Sequence, residues 1–446
     1  MKKIIQYTSI LVALAIPFST YAQTDKAYDM NVNGVKVIVQ PSGNEIVVVQ
    51  TIIKGGVQNY PADKAGIESL AINGLTECGT TKDDKNSFKN KLDKISAQVY
   101  GNTGMDFATF TLNCIKGDFE TAWPLYTDAM ISPRFDSKEF DRIKQDAINI
   151  IRAGESDPDN AVNKMARQTA FAGKDYAKEP QGTVETVTKL TAEETKKYWQ
   201  SIFNKSKMVI VIVGDVDKSE IEKKINSFLT NLPAGAPFKL KEESYSPSAN
   251  SFQPKQRENA TNYIQGITGA PLPGTPDYDA FVLAMRIFST RHFIEVRSKN
   301  GLSYAPGSWF SQGKTPYANL FVTTTEPDRY IAVARNLIDK VKKDGFTEEE
   351  LKNEKTGYLT GLYYRQETNA ERAAALATNE VVHNNWKRAI EIKDEINKVT
   401  LQDADNAFKK YITNITWVYQ GDPKKVDSKL YVQKETPPIP AEKKAF

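Results

Sequence analysis

Apolar and polar residues alternate along this chain with two different periods, which predict strands and helices in turn. The β-branched runs 35–39 and 46–53 predict two strands, joined as a hairpin through the turn Pro41-Ser42-Gly43-Asn44. Residues 105–115 alternate between two faces, which is the period of a strand. Residues 67–77 instead have an apolar stripe with a period near 3.6, so we expect a helix that ends at Gly79.

The same two patterns continue through the rest of the first half. They predict helices near 117–130, 136–152, 160–172, 191–203 and 219–229, and a buried strand at 208–213 that is closed by Gly214-Asp215. From residue 233 to residue 256 apolar periodicity disappears and turn-forming residues dominate. We interpret this stretch as a linker between two domains.

Landmarks of the first half recur in the second half at nearly constant spacing. Lys189-Leu190-Thr191 matches Lys398-Val399-Thr400, Gly214-Asp215 matches Gly421-Asp422, and residues 135–139 match 346–350, with offsets of 209, 207 and 211 residues. A repeat this long indicates a duplicated domain rather than a solenoid unit. Strands and helices do not alternate strictly, so we predict two homologous α+β domains, each a mixed, mainly antiparallel sheet with helices on one face.

The predicted organisation is a signal peptide at 1–22, domains at 27–232 and 257–432 around the linker 233–256, and a flexible tail at 433–446. The beginning has Lys2 and Lys3, an apolar run to Phe18 and small residues before position 23, which is typical of secretory signals. No later stretch approaches the roughly 20 apolar residues of a membrane helix. We therefore expect a soluble, exported and, in a bacterium, periplasmic protein without membrane insertion.

Charge and cysteine content add little to this picture. The formal net charge of +4 falls to +2 without the two lysines of the signal, and the two signs are interspersed, which argues against a nucleic-acid partner. Cys78 and Cys114 could pair in an oxidising compartment or remain separate small buried residues. The sequence leaves both readings open, because pairing depends on geometry.

The order of several short segments resembles the pitrilysin and mitochondrial-processing-peptidase group, the insulinase-like zinc peptidases with an inverted zinc motif. The matching segments are Lys64-Ala65-Gly66-Ile67, Cys78-Gly79-Thr80, Asp157-Pro158-Asp159, residues 182–187, Lys189-Leu190-Thr191, residues 211–217, Ala270-Pro271, Pro276-Asp277-Tyr278, residues 293–297 and residues 301–304. The resemblance covers nearly the whole chain after the signal. It implies a clamshell half built from the two domains.

Active members of that family carry His-x-x-Glu-His on the helix that corresponds to 67–77, where two histidines hold zinc and the Glu acts as general base. In this chain the corresponding positions are Ser69, Ile72 and Asn73, or Leu70, Asn73 and Gly74 if the match slips by one residue. The resemblance places the third ligand at Ile150 or Ile151, which we expect in the core, with Glu155 nearby in a loop. We therefore expect no metal bound by this chain, because a zinc site needs three or four ligands.

The sequence contains two histidines, His292 and His383, which are far apart in the second half. We expect solvated or helix-capping roles for both, since a lone histidine is seldom a metal ligand.

The second-half signature of the family is retained as Arg297, Gly301, Leu302 and Tyr304. The resemblance implies that Tyr304 hydrogen-bonds the scissile carbonyl as it becomes an oxyanion, and that Arg297 orients the substrate backbone. Taken without the family, the same residues would fit a helix end, a turn at Asn300-Gly301 and an ordinary surface tyrosine. Strand 105–115 is a further candidate, for edge pairing with an extended peptide, as the family implies.

Three functional hypotheses follow. The first is a subunit that is no enzyme on its own and that supplies Arg297 and Tyr304 to a partner chain bearing the zinc site, in a heterodimer or heterotetramer that acts on peptides or unfolded segments. The second is a peptide-binding or scaffold protein without a role in proteolysis. The third is an autonomous hydrolase with Ser69 as nucleophile, which lacks a His or Lys nearby in the sequence to activate it.

Overall fold

The computed structural model describes residues 27–258 and 260–440. The strands are β1 Tyr28–Val32, β2 Val35–Pro41, β3 Ile46–Lys54, β4 Gln98–Thr103, β5 Phe107–Ile115, β6 Met208–Gly214, β7 Ser251–Gln256, β8 Asn262–Thr268, β9 Gly307–Ser311, β10 Tyr317–Thr324 and β11 Thr416–Gly421. The helices of the first half are α1 Ile67–Glu77, α2 Lys85–Asp93, α3 Phe119–Ile131, α4 Ser137–Ser156, α5 Pro158–Ala170, α6 Val184–Lys189, α7 Ala192–Ile202 and α8 Lys218–Leu229. Those of the second half are α9 Tyr278–Phe293, α10 Pro327–Asp344, α11 Glu348–Tyr364, α12 Asn369–His383, α13 Arg388–Lys398, α14 Leu401–Tyr411 and α15 Lys429–Val432, and α9 continues directly into a π-helical segment, Ile294–Lys299.

The strands form two separate sheets with the same internal order. The first sheet has the order β1-β2-β6-β3-β5-β4, and the second has the order β7-β11-β8-β10-β9. Only one strand pair in each sheet is parallel, β2 with β6 and β7 with β11. The predicted α+β class is therefore confirmed, and the predicted repeat has a structural counterpart once β1 is set aside.

The predicted hairpin between β2 and β3 is wrong. These strands are not neighbours, because β6 lies between them, parallel to β2 and antiparallel to β3. All seven residues of β6 are buried, as expected for a strand in the middle of a sheet. The turn after β2 instead contacts the end of β6, where the Ser42 amide donates to the Gly214 carbonyl at 3.2 Å.

Each half contributes a helix that covers the sheet of the other half. Helix α12 packs its Leu376, Ala377 and Val381 against an apolar face of β3 and β6 in the first sheet. Helix α5 packs in the same way on β8 and β11 of the second sheet. A shared carboxylate also joins the halves, since Asp106 accepts from the Tyr176 hydroxyl at 2.7 Å and from the Lys314 amide at 3.0 Å. This reciprocal packing makes the two sheets parts of one body.

The predicted linker, 233–256, is irregular up to residue 250, and its last six residues form β7 of the second sheet. The irregular part is fixed to the first half. Gln58 exchanges two hydrogen bonds with the backbone of Lys241, at 3.1 and 3.0 Å, and the Lys207 ammonium lies 3.4 Å from the centre of the Phe238 ring. This segment is therefore a strap held by specific contacts rather than a free tether.

Several predictions concern the ends of the chain and its cysteines. The predicted signal peptide, 1–22, lies outside the described residues, and so does the last part of the predicted tail. Within 27–258 and 260–440, no helix is both long and apolar enough to span a bilayer. Cys78 and Cys114 are buried free thiols, which decides between the two readings left open by the sequence.

Candidate functional site

Helix α1 carries the positions where the family resemblance places the zinc motif. Ser69 is half-buried and Asn73 is exposed, so the two residues at the histidine positions face the outer side of the helix. Ile72, three residues after Ser69 on the same helix, is only 1% exposed. The helix packs mainly on α4, α7 and β4, all in the first half.

The side chain of Ile72 occupies the space where a general base would lie. It contacts edge strand β4 so closely that a Cβ added at Gly101 would come within 2.1 Å of the Ile72 Cγ2 atom. An aliphatic group in van der Waals contact with a strand offers neither a ligand nor a proton acceptor. These residues therefore do not fit a zinc ion.

The third-ligand position is equally unsuited to a metal. Both Ile150 and Ile151 lie on α4; Ile151 is buried, but Ile150 is 65% exposed, which corrects the expectation that both are core residues. Glu155 lies in the last turn of α4 rather than in a loop, and it pairs with Lys164 at 2.8 Å. Across residues 27–258 and 260–440, no group of three or more His, Cys, Asp or Glu side chains could hold a metal ion.

His292 is a core residue, so a solvated or capping role is wrong for it, whereas His383 is half-buried at the last position of α12. His292 is completely buried, with its Nε2 atom 3.1 Å from the Tyr330 hydroxyl, and burial lowers its pKa to about 4. His383 packs edge-on against the Tyr278 ring, and burial lowers its pKa to about 3. His292 lies within α9 among its buried residues, and His383 ends α12; both are far from Ser69 in the sequence.

A buried carboxylate beside the degenerate motif was missed by the sequence analysis. Glu68 on α1 is fully buried and accepts hydrogen bonds from the Asn59 amide at 2.9 Å and the Tyr198 hydroxyl at 2.6 Å. Burial raises its pKa to about 7. Burial also lowers the pKa of nearby Lys207 to about 8. The sequence did contain a signal for the burial of Glu68, because residues 68, 71 and 75 share one face of α1 and residues 71 and 75 are apolar.

Arg297 and Tyr304 lie on either side of a reversal in the chain after α9. Arg297 is in the π-helical segment, and a turn then brings the chain back, with Gly301 at a φ of +60°. The Leu302 amide donates to the Val296 carbonyl at 2.9 Å, and the side chains of both residues are buried in the second core. These two anchors leave Arg297 and Tyr304 outside the core, next to each other.

The Arg297 guanidinium stacks on two aromatic rings. Its central carbon is 4.2 Å from the centre of the Tyr304 ring and 5.1 Å from that of Phe293. Tyr304 is 79% exposed, and Phe293 and Ile294 are also exposed. We call these four residues, Phe293, Ile294, Arg297 and Tyr304, the Arg297–Tyr304 patch. Arg and Tyr side chains in such an arrangement are typical of the centres of binding interfaces.

The arrangement leaves the polar groups of the patch available. Among the described residues, none pairs with the Arg297 guanidinium as an ion or hydrogen-bonds the Tyr304 hydroxyl. A phenol and a planar guanidinium held side by side can donate several hydrogen bonds to one carbonyl-rich ligand. The patch is anchored to the second core through Val296 and Leu302, and α1 packs in the first core, so the two halves of the implied active site are not in one cluster within the chain.

The strand predicted to accept a peptide by edge pairing cannot do so. Strand β5 is bonded to β3 on one side and to β4 on the other, so both of its edges are occupied. The free edges at this side of the two sheets belong to β4 and β9.

Comparison with protein families places both halves in one peptidase family. Residues 36–184 match the model described as insulinase (peptidase family M16), and residues 189–358 match the model described as peptidase M16 inactive domain. A non-peptidase homologue from Helicobacter pylori, YmxG, is 22% identical over 376 residues, which cover 81% of this chain and 86% of that protein.

Solved structures share the fold over most of the chain. A peptidase M16 inactive domain from Pseudomonas fluorescens superposes with a TM-score of 0.79 at 18% identity, covering 89% of this chain and 97% of that one. The periplasmic protease PqqL from Escherichia coli gives a TM-score of 0.76 at 14% identity, covering 94% of this chain and 49% of PqqL. Both halves match models of the same family and the fold agrees over nearly the whole chain, so this protein belongs to peptidase family M16.

Proposed function

We propose that this chain is the non-catalytic, zinc-free subunit of a periplasmic metallopeptidase. In this proposal it supplies Arg297 and Tyr304 to a partner chain that bears the zinc site, and the pair acts on peptides or unfolded segments. The chain has no peptidase activity on its own.

The observation that carries the proposal is the contrast between two positions in the molecule. At α1, Ile72 packs against β4 where an active enzyme needs a base, so the chemistry of the first half is lost. In the second half, Arg297 and Tyr304 are held side by side by a defined turn, and their polar groups face outward. Exposed stacked groups of this kind are poorly explained by stability alone, since surface pairs contribute little to it.

The roles proposed for the two residues follow from their chemistry. The Tyr304 hydroxyl donates a hydrogen bond to the substrate carbonyl oxygen. This hydrogen bond becomes stronger as negative charge develops on that oxygen. The Arg297 guanidinium donates to neighbouring backbone carbonyls and fixes the register of the peptide. Stacking on Phe293 and Tyr304 limits the rotamers of Arg297, which reduces the entropy lost on binding.

The proposal of a two-chain clamshell draws support from relative length. The superposition with PqqL covers 94% of this chain but only 49% of the PqqL chain. PqqL therefore has room for a second unit of similar size. In this proposal the partner chain supplies the second unit of the enclosure. PqqL is named a periplasmic protease, which agrees with the predicted signal peptide of this chain.

The test is reconstitution with a candidate partner. An exported chain from the same genome that contains His-x-x-Glu-His is purified alone and together with this chain, and hydrolysis of an unstructured fluorogenic peptide is measured. We expect activity only in the mixture. Arg297→Ala combined with Tyr304→Phe is expected to lower kcat/KM by a factor of about 10² or more, the usual effect of removing a donor to an oxyanion.

A matched control separates the patch from general surface effects. Arg152 and Tyr363 are also exposed and lie on α4 and α11, outside the patch. Arg152→Ala combined with Tyr363→Phe should leave the rate of the mixture unchanged. An unchanged rate with the Arg297 and Tyr304 variants, in a mixture that is active, would show that these residues have no such role.

A second candidate function, peptide binding without proteolysis, is favoured by a groove beside the free edge of β9. The groove has a volume of about 550 Å³ and is lined by Arg286 and Thr290 of α9, Trp309 of β9, and Glu354 and Arg365 near α11. This function would be supported over the first if the isolated chain bound unfolded peptide. The affinity should then be lost in Glu354→Gln and unchanged in Tyr304→Phe.

A further inference from the structure

A polar pocket of about 400 Å³ lies between the two halves. It borders the third-ligand position, since Ile150, Ile151 and Glu155 line it, and it shares Trp309 with the groove beside β9. One wall is the face of the second sheet that is directed toward the first half, and the other is formed by α4, α5 and residues 179–182. Its lining includes Asn163, Arg167, Gln265, Trp309, Ser311 and Asn319.

A row of hydrogen-bonding side chains crosses three strands on the sheet wall. The Gln265 amide donates to the Asn319 Oδ1 atom at 3.0 Å, and the Asn319 amide donates to the Ser311 hydroxyl at 2.9 Å. Gln265 and Asn319 are almost completely buried, and within the described residues the Gln265 Oε1 atom has no partner. The row therefore has an unused acceptor at one end and a hydroxyl at the other. An unused buried acceptor is costly, and a ligand hydroxyl would remove that cost.

The charges on the opposite wall are already neutralised. Arg167 pairs with Glu179 at 2.5 Å and also donates to the carbonyls of Tyr176 and Lys178 at 2.8 Å each. Lys164 pairs with Glu155 at 2.8 Å. Because each cation has an anion beside it, the pocket offers no net charge to a phosphate or a carboxylate.

Aromatic rings complete the lining. Trp309 and Tyr317 extend from neighbouring strands β9 and β10 on the same face as the amide row. A sugar ring has apolar C–H faces that pack on aromatic rings, and hydroxyl groups that each donate one hydrogen bond and accept two. The volume lies at the small end of the range for small-molecule sites, about 300–1,000 Å³, and suits one or two sugar rings.

We propose that this pocket is a binding site for a neutral saccharide, with the ring against Trp309 and its hydroxyls bonded to Gln265, Ser311 and Asn163. The proposal is independent of the peptidase-subunit function, because neither Arg297 nor Tyr304 lines the pocket.

The test measures binding of D-glucose, D-galactose, N-acetylglucosamine and maltose to the purified chain by saturation-transfer NMR and isothermal titration. We expect saturable binding of at least one sugar. Gln265→Leu and Trp309→Leu should each weaken it by about tenfold or more. Asn163→Ala, at a half-buried helical position less critical for folding, should weaken it in the same direction.

The first sheet provides a matched control for the buried substitution. Gln50 on β3 pairs with Val211 of β6 as Gln265 on β8 pairs with Val418 of β11, and the Gln50 Oε1 atom also lacks a partner among the described residues. Gln50 does not line the pocket, so Gln50→Leu should leave the sugar affinity unchanged.

Three results would overturn the proposal. One is the absence of saturable binding for all four sugars at millimolar concentration, and another is equal loss of affinity in Gln50→Leu and Gln265→Leu. The third is preferential binding of a blocked tetra-alanine peptide that competes at the same residues, which would identify the pocket as a peptide subsite.

Discussion

At the scale of single residues, Glu68 and Ile72 have opposite environments on one helix. Ile72 is an aliphatic residue at a position that the family resemblance assigns to a carboxylate, and Glu68 is a carboxylate at a position that the core would fill with an aliphatic residue. Asn59 and Tyr198 donate to Glu68, but these two hydrogen bonds do not offset its burial, and its pKa is raised to about 7. Folding therefore disfavours the ionised form of Glu68, and the stability of the protein depends on pH through this residue.

The free energy of unfolding of Glu68→Gln, relative to that of the unsubstituted protein, is expected to increase as the pH rises. A folded-state pKa of about 7, above the usual 4.5, means that the contribution of Glu68 to stability is fully present below pH 4.5 and is lost as the pH rises through 7. The expected change is on the order of a few kcal/mol, since one pKa unit corresponds to about 1.4 kcal/mol. Urea unfolding of both proteins at pH 5 and pH 8 measures this change. A difference between them that does not vary with pH would contradict the assignment.

At the same scale, Gly301 is required by the turn that positions Tyr304. Its φ of +60° is in the left-handed region, and no atom lies within 4 Å of an added Cβ, so the expected penalty is conformational rather than steric. Gly301→Ala should cost about 1 kcal/mol of unfolding free energy, and Gly301→Asn less.

Gly154 is the matched control for that prediction. It lies within α4 at a negative φ, and an added Cβ would meet no atom within 4 Å. Gly154→Ala should therefore stabilise the protein by about 0.5–1 kcal/mol. Chemical denaturation of the three variants gives the comparison, and equal effects of the two alanine substitutions would show that the turn imposes no strain.

At the scale of elements, α1 and edge strand β4 approach each other more closely than a Cβ allows. Gly101 lies directly under Ile72, and a Cβ added at Gly101 would come within 2.1 Å of the Ile72 Cγ2 atom. Helix α1 thus retains the bounds that its apolar stripe predicts while the motif on it has become part of the packing. At the position that the family resemblance assigns to the general base, α1 is therefore packed on β4 through an aliphatic side chain.

Gly101→Ala is expected to destabilise the protein by about 1–3 kcal/mol, the usual cost of overpacking. Ile72→Ala alone should also be destabilising, because it opens a cavity. The double variant should be more stable than the sum of the two effects indicates, since removal of Ile72 makes room for the new methyl group. A double-mutant cycle from urea unfolding measures this coupling, and strict additivity would argue against the contact.

At the scale of the whole molecule, the two halves exchange helices, and we expect them to unfold together. Helix α12 belongs to the second half by sequence, but its apolar face lies on the first sheet, and α5 does the reverse. The strap from residue 233 to residue 250 adds further contacts. Neither half retains a fully covered sheet when the other unfolds.

Leu376→Ala is expected to destabilise both halves together. Leu376 is buried between α12 and the first sheet, so its truncation should cost about 2–5 kcal/mol. When unfolding is monitored by far-ultraviolet circular dichroism and by tryptophan fluorescence, both probes should report one transition with the same midpoint. Separate transitions for the two probes would show that the halves are independent domains.

The sequence by itself determined the local elements, because they depend on periodicity within one segment. The apolar stripe predicted α1 at 67–77, and the repeated landmarks predicted the duplication that appears as two sheets of the same order. The sequence also identified Arg297 and Tyr304, although only through resemblance to a family. Their roles in catalysis stay a prediction.

Only the tertiary structure decided what lies beside each element, because contacts between distant segments are not encoded in any local pattern. It inserted β6 between β2 and β3 and so removed the predicted hairpin. It also buried His292, which is polar by composition, among apolar helices of the second core. The stacking of Arg297 on Tyr304 and the polar pocket around Gln265 arise in the same way, from chain reversals and from two halves that meet.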